Sequence, residues 1–295
     1  DVVVDNFSQG VTKRLGIDHQ SLKKVNPKII TCSISGFGDT ELNRPAYDNL
    51  IQGYAGAMSI TGTDKENPVK SGIPIADLGA GLYAVIGILS AIQSREKNDS
   101  GEHVDISMLD TQVSLLTYMA TMHFLSGENP EPIGNQHMNH VPFNSYRTLD
   151  GFIQIGVVAE DFWPSLIEAL DLRQLDTEEN KVRIGRLKNR ENIDEALQEV
   201  FITNTTEHWL KILQEHRVPC GPINTLSETF EDADLLKRNM IVEVLQDSGA
   251  SVKMPGNPVK ISNHDEEFRR SPKLGEHTAE IFKSWLDKDI SVDQD

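Results

Sequence analysis

The chain has 295 residues, of which 38% are hydrophobic and 25% charged, and its formal net charge is −17. That composition supports a packed core and excludes a mostly disordered chain, and the length suits about two domains of roughly 100–200 residues each. The acidity argues against a general nucleic-acid binder, which needs a basic face, but leaves room for a local basic pocket that takes a phosphorylated small molecule.

The two cysteines, Cys32 and Cys220, lie far apart and in no CxxC motif, so neither a disulfide scaffold nor a zinc ribbon is expected, and a reducing, cytoplasmic setting fits. No run reaches about 18 uncharged apolar residues; the longest, 78–92, is rich in small side chains, and no membrane span is expected. The opening Asp1-Val2-Val3-Val4-Asp5-Asn6-Phe7 reads as a buried strand already in progress, with neither initiator Met nor signal-peptide pattern, so part of the parent domain is expected to precede it.

In chain order, residues 2–4 form a strand, and a loop at 6–10 leads to a helix ending near Leu15-Gly16. A short helix at 21–25 stops at Asn26-Pro27, and 28–35 is a β-branched strand closed by Gly36. Strand, helix and strand in alternation predict an α/β fold with parallel pairing. Residues 47–58 read as a helix, and 78–93 as a long one with Asp77 as its N-cap. Strand 103–107 precedes a helix at about 109–124. The stretch 127–144, with Pro130, Pro132 and Gly134, reads as a linker. Residues 150–157 form a turn and a strand that opens a second domain. Amphipathic helices follow at 162–170, 193–201 and 206–216. Val218-Pro219-Cys220-Gly221-Pro222 is a rigid loop; strands at 241–245 and 252–261 and a last helix at 278–286 complete the chain.

The most informative segment is Ile73-Pro74-Ile75-Ala76-Asp77-Leu78-Gly79-Ala80-Gly81. An aspartate at a helix N-cap is held ionised by the free amides and the dipole, and the small residues after it leave the carboxylate open to approach. Such a group can act as a nucleophile, although most capping aspartates only cap. Gly79-Ala80-Gly81-Leu82-Tyr83-Ala84 also fits G-x-G-x-x-A, with Asp99 about 20 residues on. Pro74 in the preceding stretch and a negative charge where a pyrophosphate would sit favour plain helix packing for those glycines. His137 and His140 have no third ligand nearby in sequence, so no metal is assigned. Lys13 and Arg14 could form a phosphate site or a solvated face, Ser33 and Ser35 lie in no G-x-S-x-G elbow, and Cys220 between prolines suits packing better than reactivity.

Together these segments resemble the family III CoA-transferases, which include formyl-CoA and carnitine CoA-transferases. The resemblance runs over nearly the whole chain, through Asp5-Asn6-Phe7 with Arg14-Leu15-Gly16, Ser33-Ile34-Ser35-Gly36-Phe37-Gly38, Tyr47-Asp48, Asp77-Leu78 and Val104 to Asp110. Later anchors are Val218 to Asn224 and Leu274-Gly275-Glu276-His277-Thr278. The resemblance implies a Rossmann-like large domain (1–130, its first part lying before Asp1), a smaller α+β domain (140–228), and a return segment to the large domain (229–295), in an interlocked homodimer. It implies that Asp77 is the nucleophile that moves CoA from an acyl-CoA donor to a carboxylic acid acceptor through an aspartyl-CoA thioester, with coenzyme A thioester as substrate and no tightly bound cofactor or metal. Asn6, Arg14 and Met108 would line the CoA site, Tyr47 would stand near the thioester, and Gly134 marks the family's glycine loop, of which only that glycine is kept. The lysine that the family places just before Tyr47 is replaced by Pro45-Ala46.

Two alternatives stand beside this reading. The 2-methylacyl-CoA racemases of the same superfamily place a histidine where Tyr47 stands, and a phenol, which ionises near pH 10 in model peptides, is a weak base at neutral pH. The other alternative is a non-catalytic fragment that keeps the fold without the chemistry. The acid pair is open; dicarboxylates such as succinate are plausible, and Arg44 and Lys70 are candidates for the acyl carboxylate or plain surface residues.

Overall fold

The computed structural model describes residues 1–40 and 44–287. Residues 288–295 of the expected return segment lie outside the described residues. Contacts divide the chain into two compact units, Asp1–Gly221 and Pro222–Asp295.

The first unit opens with a three-stranded parallel sheet, β1 (Val2–Asp5), β2 (Ile30–Ser35) and β3 (His103–Ser107), in the order β1-β2-β3. Val2 pairs with Ile30 and Thr31 with His103. β1 is less buried than expected: Val4 is exposed and its neighbours are half-buried. Helices α1 (Val11–Leu15) and α2 (His19–Val25) connect β1 to β2. Gly16 closes α1 in the left-handed conformation at φ 70°, and the Asp18 side chain caps α2 by accepting from the Ser21 N–H. β2 alternates. Ile34 belongs to an apolar core with Phe37, Ile51, Ala76, Ala80 and Met108, and Ile30 and Cys32, both fully buried, share its face by the period-two rule. Thr31, Ser33 and Ser35 face the other way.

Between β2 and β3 run α3 (Asp48–Tyr54), a 3₁₀ turn (Ala57–Ile60), and α4 (Ile75–Asn98). The expected single helix at 47–58 is broken at Gly56, whose φ of 82° cannot continue it. The 24-residue α4 is long and apolar enough, by length and composition, to cross a membrane, which overturns the sequence-level exclusion of any such segment. It nevertheless packs on β2, β3, α3 and a fifth helix, α5 (Met108–Leu115). The contact with β3 is close: a Cβ added at Gly87 would lie 2.6 Å from Val104 Cγ1. The helix expected at 109–124 is two helices, α5 and α6 (Tyr118–Ser126), split at Thr117, whose φ is 51°.

A second core follows in the same unit. β4 (Phe143–Arg147) and β5 (Phe152–Gly156) form an antiparallel hairpin, and β6 (Cys220–Pro222) completes the sheet in the order β4-β5-β6. The linker expected at 127–144 thus gives way to β4 at Phe143, and the rigid loop expected at 218–222 ends in β6. Helices α7 (Phe162–Leu170), α8 (Arg183–Lys188), α9 (Arg190–Phe201) and α10 (Thr206–Glu215) accompany this sheet. Trp163, Leu166, Ile193, Leu197, Phe201 and Leu213 form its core with Ile153.

The second unit contains α11 (Leu226–Glu231), α12 (Ala233–Lys237), the antiparallel pair β7 (Ile241–Leu245) and β8 (Ser251–Pro255), and α13 (Thr278–Leu286). Thr225 and Glu228 form a capping box at the start of α11.

Candidate active site

Asp77 is not the N-cap of α4. The cap position is Pro74, which offers no side-chain hydrogen bond, and Asp77 lies inside the first turn. The cap comes instead from another helix. Asp48, the first residue of α3, accepts the Ala76 N–H at 2.9 Å on Oδ1 and the Gln52 amide at 2.7 Å on Oδ2. Gln52 is buried, and its Oε1 accepts the Ser71 N–H at 2.8 Å. Two side chains one turn apart on α3 thus fix both the approach to α4, at Ser71, and one of its first amides, at Ala76, which satisfies a donor that a helix start leaves open.

The neighbourhood also sets the charge on Asp77. Partial burial, and then the Asp48 carboxylate, raise its carboxyl above the ordinary aspartate range. Desolvation and a like charge thus oppose the ionised form that a helix start favours. The side chain remains on the exposed side of the helix, beside Gly81, where a Cβ would meet nothing within 4 Å. The G-x-G-x-x-A pattern lies wholly within α4 rather than in a strand-to-helix turn, so it forms no phosphate loop. Gly79 instead admits α5, since a Cβ there would come within 2.9 Å of Thr111 Cγ2.

A cleft of about 770 Å³ opens over the polar face of the parallel sheet. Asn6, Lys13, Ser33, Arg44, Ala46 and Asp105 are among its walls. Its charge is mixed rather than basic: Lys13 and Arg44 face a cleft that also holds Asp5, Asp18, Asp39 and Asp105. Asp5 accepts the Ser33 hydroxyl at 2.7 Å, and the Arg44 guanidinium lies over the Phe37 and Tyr54 rings at 4.7 and 4.9 Å. At one end Thr31 Oγ lies 3.0 Å from His19 Nδ1 and 2.8 Å from His103 Nδ1. Burial, then His103 and Lys23, hold the His19 imidazole below its usual range.

The residues singled out in the sequence fall into three places. Asn6 lines the cleft; of the Lys13-Arg14 pair it is Lys13 that does so, while Arg14 turns back toward Gly10. Tyr47 follows the cleft wall formed by Arg44 to Ala46; it is 70% exposed and directly precedes Asp48. Met108 is buried in the core with Ala76 and Ala80, on either side of Asp77 in α4, and does not line the cleft. Gly134 donates its N–H to the Gly62 carbonyl at 2.7 Å, which ties the 127–142 connection to the stretch leading from α3 to α4. Lys70 is exposed and bonds the Ser71 carbonyl. Among the described residues no group of three or more His, Cys, Asp or Glu side chains could hold a metal ion. Sequence reasoning missed Asp48 and Gln52. Their signal was present, because an Asp and a Gln four apart on a helix are neighbours that can hydrogen-bond.

Residues 1–278 match the description CoA-transferase family III. An acyl-CoA transferase of Fusarium pseudograminearum is 32% identical over 96% of the chain and 63% of its own length. A succinate–glutarate CoA-transferase of Agrobacterium fabrum is 31% identical over 96% of the chain and 72% of its own length. The crystal structure of a CAIB/BAIF family protein from Brucella suis superposes with a TM-score of 0.84 at 34% identity, covering 96% of the chain and 75% of that protein. The chain therefore spans a little under two thirds of the Fusarium relative and about three quarters of the Brucella one.

Proposed function

The chain belongs to CoA-transferase family III, and on that premise we propose that it transfers CoA from an acyl-CoA to a carboxylic acid with Asp77 as the covalent nucleophile. The observation that carries this reading is the start of α4: an open, partly desolvated carboxyl in the first turn, braced by Asp48 through the amide of Ala76. A carboxylate stripped of part of its hydration attacks more readily than a fully hydrated one.

The Asp77 carboxylate attacks the acyl carbon of the donor thioester; the C–S bond breaks, and CoA leaves as thiolate from a mixed anhydride. The thiolate attacks the aspartyl carbonyl, which releases the donor acid and leaves an aspartyl-CoA thioester. The acceptor carboxylate then runs the same two steps in reverse. One thioester replaces another, so the sequence consumes no ATP. Asn6 and Lys13 in the cleft suit the amide and phosphate groups of CoA, with Tyr47 near the thioester; Met108 packs with Ala76 and Ala80 and so supports the start of α4, while Arg14 would have to turn from Gly10 into the cleft to meet a phosphate. The segment beginning at Gly134 keeps water from the anhydride. The Agrobacterium relative's name and the stacked Arg44 at the cleft wall support a dicarboxylate among the acids. The exposed Leu82, Val85, Ile86 and Leu89 on α4 support a homodimer, the separate cores of the first unit support a large and a small domain, and two unpaired cysteines support a reducing, cytoplasmic setting.

The test is intact mass after incubation with a panel of acyl-CoAs. A CoA-sized adduct on the chain, removed by hydroxylamine and absent from Asp77→Ala, is the expected result. Exchange of the acyl α-proton in deuterated water without an adduct would select the racemase reading instead.

A further inference from the structure

Helix α9 carries two stripes. Ile193, Leu197 and Phe201 recur every four residues and are fully buried in the second core. A second row, Arg190, Asp194 and Gln198, recurs with the same spacing, Asp194 and Gln198 each one position after a member of the first, and all three are half-buried. An Arg and an Asp four apart on a helix ordinarily pair with each other. Here each turns instead to the chain segment that runs from Gly134 into β4. Arg190 Nη2 donates to the His137 carbonyl at 2.7 Å. Asp194 accepts from the Tyr146 hydroxyl at 2.5 Å, the Gln136 amide at 3.3 Å and the Asn144 amide at 3.5 Å. Gln198 closes a two-bond clamp on Arg147, accepting its N–H and donating to its carbonyl, both at 2.9 Å.

The far end of that segment is held by Gly134, whose N–H bonds the Gly62 carbonyl in the stretch that leads from α3 to α4. The segment is therefore fixed at Gly134 beside the chain approaching Asp77 and, at residues 136, 137, 144, 146 and 147, by one face of α9, with Arg186 of α8 holding the Val141 carbonyl between them. Tyr146 is buried and stacks on Phe201 at 5.4 Å, so its hydroxyl has Asp194 as its fixed acceptor.

We infer that Asp194, flanked by Arg190 and Gln198, is the positioning residue that sets segment 134–147 relative to α9, and thereby controls how well that segment excludes water during CoA transfer. The second half of this inference rests on the reading of Asp77 as nucleophile; the first half does not.

The experiment follows amide hydrogen exchange at residues 134–142 and, separately, the fraction of acyl-CoA lost to hydrolysis rather than transferred. Asp194→Asn and Asp194→Ala should speed exchange at 134–142 by about tenfold or more, the scale of a lost charged hydrogen bond, while β5 keeps its protection and the hydrolysed fraction rises. Glu195→Ala, an exposed neighbour on the same helix, should change neither. Should the Asp194 variants not fold, Arg190→Ala removes only the His137 contact and should loosen the same stretch, with Arg190→Lys restoring it. Unchanged exchange at 134–142, or an equal rise throughout β4 and β5, would overturn the positioning role. Faster exchange with an unchanged hydrolysed fraction would overturn its link to chemistry. A wild-type chain that forms no aspartyl-CoA adduct would sink the Asp77 reading alone, because the exchange result stands without activity.

Discussion

Asp48 holds the backbone amide of Ala76, the residue immediately before Asp77, at 2.9 Å. The same carboxylate also raises the Asp77 carboxyl, second to burial, so one side chain both places the candidate nucleophile and tunes it.

Asp48→Asn separates these two roles. The amide oxygen can still accept the Ala76 N–H, but the like charge is gone, so the Asp77 carboxyl should move down toward the ordinary aspartate range. The acid limb of adduct formation against pH should shift to lower pH, read by quenched mass spectrometry. Asp48→Ala should instead lose the cap and cost about 1 kcal/mol of stability in urea unfolding. An acid limb that stays in place in Asp48→Asn would refute the electrostatic role.

Two glycines of α4 should respond with opposite signs. Alanine is favoured over glycine in a helix by about 1 kcal/mol, and at Gly81 nothing lies within 4 Å of the added Cβ. Gly81→Ala should therefore raise the urea midpoint. At Gly87 the added Cβ would stand 2.6 Å from Val104 Cγ1, and overpacking typically costs about 1–3 kcal/mol. Gly87→Ala should lower the midpoint despite its propensity gain.

Arg186 is 1% exposed and makes three anchoring bonds: Nε to the Val141 carbonyl at 2.8 Å, Nη1 to the Asn180 carbonyl at 2.9 Å, and Nη2 to Glu160 at 2.7 Å. Arg186→Ala strands the buried Val141 and Asn180 carbonyls and should cost about 2–6 kcal/mol, at about 1–3 kcal/mol for each buried acceptor left unsatisfied. Glu160 is more exposed, and Glu160→Gln keeps an acceptor, so its cost should be about 1–2 kcal/mol. Equal losses for the two variants in denaturant titration would contradict this ranking.

In the second unit Glu276 pairs with Arg270 at 2.5 Å and accepts the Lys273 N–H at 2.7 Å. Those bonds, the Arg270 one foremost, pull its carboxyl from 4.5 down to about 2. A depressed carboxyl stabilises the fold above its unfolded value and loses that contribution as pH falls toward the folded one. Glu276→Gln should thus lower the thermal midpoint of this unit at pH 7, and the gap to wild type should close between about pH 4.5 and pH 2. A gap that persists unchanged at pH 2 would assign the loss to packing.

Elements with an unbroken local pattern were legible in the sequence. β3, α7, β7 and α13 occupy their expected positions, because alternation or helical spacing ran to both ends of each. The start of α4 was not, because its capping group, Asp48, lies on another helix, and a reading of nearest neighbours assigned the cap to Asp77. The split between α5 and α6 hinges on Thr117 at φ 51°, a conformation that a β-branched residue rarely adopts and no local rule anticipates. β4, Phe-Asn-Ser-Tyr-Arg, alternates too weakly to stand out; it is held by β5 and by Gln198. At the candidate site Asp77 stands out from its local pattern and Asn6 only through the family resemblance; the Asp48–Gln52 spacing is in the sequence, but its grip on Ala76 and Ser71, like the His19–Thr31–His103 cluster, exists only once the strands and helices are folded together.

The four-residue spacing of the two stripes on α9 limits how long such a grip can be. A helix turns about 100° per residue, so a row that advances four at a time drifts by about 40° at each step. Three members spread over about 80°, still one side of the cylinder; a fourth or fifth would swing away from both the core and the segment. The 12 residues of α9 are thus close to the greatest length over which one straight helix can serve both partners. A single inserted residue between Arg190 and Phe201 would rotate the two halves apart by more than the stripes can absorb. Insertions should therefore be tolerated in the turns at either end of α9 and rejected within it.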